Sequence, residues 1–114
     1  MRSLHMVTVR HKKRDLVFRA IADPTRRRIL SLLRGGQRTV GEIAENFRSS
    51  RPAISKHLRL LRSAGLVVTH RESTTRICDL NGKPLREIKD WLQDYEEFWS
   101  ESMRNLKSYV EENR

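Results

Sequence analysis

Between residues 23 and 66 the sequence carries helix start and stop signals too closely spaced for any long element. Asp23-Pro24 sets an N-cap acceptor before a proline that needs no amide hydrogen, a strong helix start. Ile29, Leu30, Leu32 and Leu33 give that helix an apolar face, and Gly35-Gly36 ends it. Thr39-Val40-Gly41-Glu42 is a capping box, Thr39 as N-cap and Glu42 three residues on. Ile43, Ala44 and Phe47 make the helix that follows amphipathic, and it stops near residues 46 and 47. Arg48-Ser49-Ser50 is a turn, and Ser50 caps a further helix with Pro52 in its first turn. That helix runs through Ile54, Leu58 and Leu61 to Ala64, and Gly65 stops it. One more short apolar helix precedes them all, from Asp15 through Leu16, Phe18, Ala20 and Ile21.

After Gly65 the hydrophobic period changes from helical to alternating. Leu66 to Arg71 is β-branched and alternating, residues 72–75 form a turn, and Arg76 to Leu80 returns, which describes a hairpin. Asn81-Gly82 breaks it. From Pro84 to about residue 112 neither Pro nor Gly interrupts, so one helix of about 40 Å is expected at 1.5 Å per residue. The fold class is therefore mainly α with a two-stranded β-hairpin wing, a winged helix-turn-helix, closed by a long C-terminal helix. Residues 1–14 are basic and lack a helical apolar stripe, and they read as a flexible arm. Residues 15–80 form the winged head, and residues 81–114 the C-terminal helix of the same compact unit.

Charge says what such a head meets. The chain carries +10 at pH 7, unevenly spread. Residues 1–80 hold 18 Lys/Arg against 6 Asp/Glu, whereas residues 81–114 hold 6 against 8. The head suits a polyanion, with nucleic acid favoured over a membrane surface. Stepping roughly 100° per residue, Ile54, Leu58 and Leu61 face the core while Ser55, Lys56 and Arg59 point away. Such a face fits a major groove, where Lys and Arg reach guanine edges or phosphates and Ser donates to either. Ser49, Ser50 and Arg51 at the turn, and Arg62 on the flank, suit phosphates. In the wing, Arg71 and Arg76 flank a tip carrying Thr74 and Thr75, placed for backbone or a narrow minor groove. Double-stranded DNA is the expected partner through Ser49, Ser50, Arg51, Ser55, Lys56, Arg59, Arg71 and Arg76. Arg26-Arg27-Arg28 cannot form one patch, because successive helical residues diverge, but one or two of them can reach phosphate. His57 reads as a packed or hydrogen-bonded structural residue.

The C-terminal helix carries the other signal. Leu85, Leu92, Trp99 and Leu106 recur every seven residues, with Ile88, Tyr95, Ser102 and Tyr109 interleaved and Trp91, Phe98, Met103 and Val110 widening the stripe. Such a stripe is too long for a small head to cover. A homodimer interface of Leu16, Phe18, Leu85, Ile88, Leu92, Tyr95, Trp99 and Leu106 is expected, with an aromatic pocket for an apolar effector as the alternative. Cys78 is the only cysteine, which excludes a disulfide framework and a Cys-based zinc finger and suits a reducing cytoplasm. No phosphate-cradling Gly loop, His/Cys/Asp constellation or paired-carboxylate motif supports an enzyme, and no cofactor is implied. No apolar run is long enough to span a membrane. A winged helix serving RNA or protein in a structural role is the remaining alternative.

FRAIADPTRRRILSLL, TVGEIAENF and SSRPAISKHLRLLRSAGLV, with the hairpin after them, resemble the ArsR/SmtB-type bacterial winged-helix repressors over roughly residues 15–80. The extension LREIKDWLQDYEEFWSESMRNLKSYVEE is similar to a branch of that family without metal-sensing motifs. The resemblance implies a homodimer, repression at an inverted-repeat operator and, in many members, release by an effector. Where family metal sensors place two cysteines, this sequence has Thr39 and Gly41, and its C-terminal helix has no histidine. Neither Thr39 nor Gly41 ligates a soft metal well, so no metal is expected.

Overall fold

The computed structural model describes residues 2–112, with side chains from Lys12 onward. Five helices and three short strands follow in the order α1 (Arg2–Ile21), α2 (Pro24–Arg34), β1 (Arg38–Thr39), α3 (Val40–Glu45), α4 (Arg51–Ser63), β2 (Val67–Glu72), β3 (Thr75–Leu80) and α5 (Leu85–Glu112). Each cap legible in the sequence closes a real helix end. Asp23 accepts from the Arg26 amide at 3.0 Å. Thr39 Oγ1 accepts from the Glu42 amide at 3.1 Å while Glu42 Oε1 accepts from the Thr39 amide at 3.2 Å. Ser50 Oγ accepts from the Ala53 amide at 3.3 Å. Gly65 turns the chain out of α4 at φ +77°, a backbone state that glycine adopts without strain.

Two elements differ from the sequence expectation. The first helix begins at Arg2, so residues 2–14 of the basic segment are helical where an arm is expected, and Met1 lies outside the described residues. No Gly or Pro interrupts residues 1–22, and extending a helix already nucleated costs far less than starting one. The wing is also more than a hairpin. Arg38 and Thr39 pair antiparallel with Cys78 and Ile77, giving a three-stranded sheet in the order β1-β3-β2. Two residues are too few to display a period, which is why this strand is silent in the sequence.

The core is built where α1, α2, α3 and α4 converge on the base of the sheet. Val17, Ala20, Ile29, Leu33, Ile43, Ile54, Leu58, Leu61, Leu66, Val67 and Cys78 are buried. Each large aliphatic side chain among them contributes about 1.5–3 kcal/mol through removal from water. In α1 the buried positions are Val17 and Ala20, while Leu16 stays 38% exposed. Asn81 joins the two ends of the hairpin, its amide donating to Leu66 O at 2.8 Å and its side chain to Gly65 O at 2.9 Å. Leu85 and Ile88 seat the start of α5 on this core, and no residue of α5 is fully buried.

Beside the apolar contact of α1 with α2 in the core, arginines hold the tight bend between them. Arg26 Nε donates to Ala20 O at 2.7 Å, its Nη2 to Arg19 O at 2.9 Å, and its Nη1 to His57 Nδ1 at 3.2 Å. The first two carbonyls are among those a helix C-terminus leaves unpaired. Arg27 Nη1 donates to Ile21 O at 2.8 Å and Ala22 O at 3.1 Å. The Arg26 amide, opposed by partial desolvation and aided by nearby His57 and Arg26, holds the Asp23 carboxyl below its ordinary 3.8. Replacing Arg26 by Ala removes three hydrogen bonds of a charged donor, two of them half-buried. A loss of about 1–3 kcal/mol in urea unfolding is expected, and an unchanged midpoint would show that the bend holds itself.

Candidate nucleic-acid interface

Helix α4 acquires its outward face from the burial of its inward one. Ile54, Leu58 and Leu61 are at most 1% exposed. That fixes the rotation of the helix and leaves Lys56 and Arg59 in solvent with Ser55 half-buried between. Ser49, Ser50 and Arg51 are exposed at its N-terminal end. The Ser50 hydroxyl is already engaged as the cap acceptor. Among the described residues no carboxylate lies within ion-pair distance of Arg51, Lys56 or Arg59.

The wing adds two more cations. Arg71 and Arg76 are directly opposite partners across the β2–β3 ladder, both exposed. They lie on the sheet face that carries Val67 and Cys78 into the core, by the alternation of the ladder. Like charges facing each other across a strand pair are destabilising, and neither has a carboxylate partner among the described residues. The turn between the strands places Ser73 at φ +61°, an uncommon state for a residue with a side chain. Burial pushes the Cys78 thiol above its ordinary 9.0, with Arg62 and Arg76 opposing the shift.

A cleft of about 400 Å³ separates α4 from the wing tip. It brings together three of the expected residues, Arg51, Ser55 and Arg76. Thr39, Val40 and Gly41 border it on one side and Thr74 and Thr75 on the other. Thr39 and Gly41 are the additions. The sequence presents them as a cap and as a vacant thiolate position, and only the pairing of β1 with β3 carries them to the wing. Lys56 and Arg59 lie farther along α4, outside the cleft. The triple arginine of α2 contributes less than expected: Arg26 and Arg27 are bound to α1 carbonyls, and Arg28 stacks over Phe47 at 4.9 Å. His57 is hydrogen-bonded to Arg26 and 3.9 Å from Asp23, in line with a structural role.

The C-terminal seam divides into two parts. Leu85 and Ile88 pack against the subunit's own core, because the hairpin end delivers α5 directly onto it. Leu92 is half-buried. From Trp91 outward the apolar stripe is solvent-exposed: Tyr95, Phe98, Trp99, Met103, Leu106 and Val110 all stand open, Phe98 at 64%. Phe18 meets Trp91 edge-on at 5.1 Å, Trp91 meets Tyr95 at 5.0 Å, and Tyr95 meets Trp99 at 6.5 Å. Leu16 and Phe18 thus lie beside the seam's inner end. Among the described residues no helix is long and apolar enough to cross a membrane.

A capped recognition helix carrying unpaired cations, beside a cationic wing, defines a DNA-binding transcriptional regulator of the winged helix-turn-helix class. The family model for "Bacterial regulatory protein, arsR family" matches residues 23–69. The transcriptional repressor SdpR of Bacillus subtilis is 44% identical over 79 residues, covering 69% of this chain and 88% of that protein. The crystal structure of the ArsR family transcriptional regulator RHA00566 superposes with a TM-score of 0.72 at 34% identity, covering 78% of this chain and 92% of that one. The solution structure of the homodimeric winged helix-turn-helix domain Mb0332 from Mycobacterium bovis gives 0.61 at 28% identity, covering 80% and 84%. The chain belongs to the ArsR family of bacterial transcriptional regulators.

Proposed function

We propose that the protein is a homodimeric repressor that places α4 in the major groove of an inverted-repeat operator. Lys56, Arg59 and Ser55 meet base edges, while Ser49, Ser50, Arg51, Arg71 and Arg76 meet the backbone. The observation that carries this reading is the run of exposed cations on α4 and the wing, none of which has a carboxylate within ion-pair distance among the described residues. A charged surface that folding leaves uncompensated gains most from a polyanion, through release of the counterions condensed on DNA. Repression is the role named for SdpR, and a small chain bound across a promoter can act by occlusion alone.

Homodimerisation through α5 rests on the exposed stripe from Trp91 to Val110. An apolar surface of that length is a partner surface, not an ordinary exterior. Burying a large aromatic side chain contributes about 1.5–3 kcal/mol, so a few per subunit outweigh an association cost of about 4–15 kcal/mol. Two copies of α4 then stand about one DNA turn apart, roughly 34 Å. The reading includes no metal. Among the described residues no three His, Cys, Asp or Glu side chains converge on one point.

Three outcomes are expected. Lys56→Ala and Arg59→Ala each weaken binding to an operator selected by the purified protein by about 1–3 kcal/mol, at unchanged thermal midpoint. Wild-type affinity in both would mean that another face meets DNA. In sedimentation equilibrium at micromolar concentration the wild type runs as a dimer, and Trp99→Glu runs as a 13.5 kDa monomer that no longer binds operator. A monomeric wild type would sink the symmetric complex. In calorimetry Zn(II) shows no tight one-per-subunit binding and does not release DNA, and a stoichiometric complex would overturn the metal-free reading.

A further inference from the structure

Arg51 and Arg76 come from different elements, the start of α4 and the wing, yet they line one cleft of about 400 Å³. Ser55, Thr74 and Thr75 add hydroxyl donors to its walls, and among the described residues no carboxylate lines it. Bringing two guanidinium groups to one cavity without a counter-charge raises the energy of the free protein. The wing's own carboxylates cannot relieve it. The alternation of the ladder sets Glu72 and Asp79 on the sheet face opposite Arg71 and Arg76. A Cβ on Gly41 would lie at ordinary contact distance, 3.8 Å from Thr39 Oγ1 and 4.0 Å from Arg51 Nη2, which places the Arg51 guanidinium beside the start of α3. A cavity of guanidinium and hydroxyl donors is the complement of a tetrahedral oxyanion, which arginine binds through paired N–H groups.

We propose that the cleft seats one backbone phosphate of the bound duplex, shared between Arg51 of α4 and Arg76 of the wing. The proposal rests on the reading of α4 and the wing as the DNA surface, and it adds a definite relation between them. The recognition helix and the wing do not take separate phosphates. They close on the same one, with Ser55, Thr74 and Thr75 as supporting donors, and that phosphate fixes the register of Lys56 and Arg59 on the bases. The opposed pair Arg71 and Arg76 is relieved by the same event, since Arg76 gains its counter-charge there.

The test is a scan of single methylphosphonates, each neutralising one phosphate, through one half-site of the selected operator. Full-length wild type, Arg51→Ala and Arg76→Ala are compared in anisotropy titrations, with equal thermal midpoints as the check on folding. One position is expected to weaken the wild type about tenfold or more. At that same position the penalty should shrink to less than about threefold in both variants. Penalties that vanish at two different positions, one for each variant, overturn the shared site while leaving the DNA face intact. Variants that keep the full wild-type pattern overturn it as well. If Lys56→Ala and Arg59→Ala also bind like wild type, the failure belongs to the DNA-face reading itself.

Discussion

The guanidinium of Arg26 sits where α1, α2 and α4 meet, and the direction of the recognition helix depends on that junction. Its three hydrogen bonds reach Arg19 O and Ala20 O at the end of α1 and His57 on α4. Asp23 completes the corner by capping α2 and standing 3.9 Å from His57. A helix whose buried face is only Ile54, Leu58 and Leu61 can slide or rotate slightly on an apolar core, since such contacts are non-directional. Hydrogen bonds are directional. The core therefore decides which face of α4 is hidden, and the Arg26 corner decides how that helix is set against its neighbours.

With α4 fixed in this way, the cations on its outward face cannot turn inward, and among the described residues no carboxylate pairs with them. The carboxylates nearest to these cations are engaged or lie on the other face of the sheet. Glu42 is engaged in the capping box, Glu87 pairs with Arg14 at 3.6 Å, and Glu72 pairs with His70 at 3.5 Å. The acidic residues of α5 lie on a helix of which only Leu85 and Ile88 pack on the core. Arg71 opposite Arg76 is a local cost in a strand pair, and Ser73 at φ +61° adds strain at the same tip. Local conflicts of this kind are expected where a sequence serves binding and not folding.

Features that act within one turn of helix were legible in the sequence. Asp23, Thr39 with Glu42, and Ser50 are local acceptors for local amides, so their spacing is sufficient to read the helix ends they make. The outward placement of Lys56 and Arg59 followed from the period of Ile54, Leu58 and Leu61. Features set by tertiary pairing were not legible. The strand of Arg38 and Thr39 exists only because Ile77 and Cys78 lie beside it. The cleft that unites Arg51 with Arg76 needs that strand, and so do the roles of Thr39 and Gly41 as its border. The seam of α5 was legible as a stripe but not as two parts. Periodicity gives no sign that Leu85 and Ile88 belong to the subunit's own core while Trp99 and Leu106 remain open.

That division of α5 bears on how the two unfinished surfaces communicate. The helix leaves the core through residues 81–85, next to the end of α4. Asn81 donates to Gly65 O and to Leu66 O, and a Cβ on Gly65 would come within 3.4 Å of Pro84 Cγ. The residues that lead out of α4 and those that lead into α5 are therefore in contact. In the proposed homodimer the separation of the two recognition helices is set by how α5 packs on its partner, and this contact carries that setting to α4. A ligand that altered the angle between paired α5 helices would move Gly65 and the end of α4 with it. A displacement of α4 by one helical rise, about 1.5 Å, exceeds the range of about 0.5 Å over which an N–H···O hydrogen bond keeps its length. The aromatic ladder from half-buried Phe18 to exposed Trp99 lies along the segment through which any such change would act.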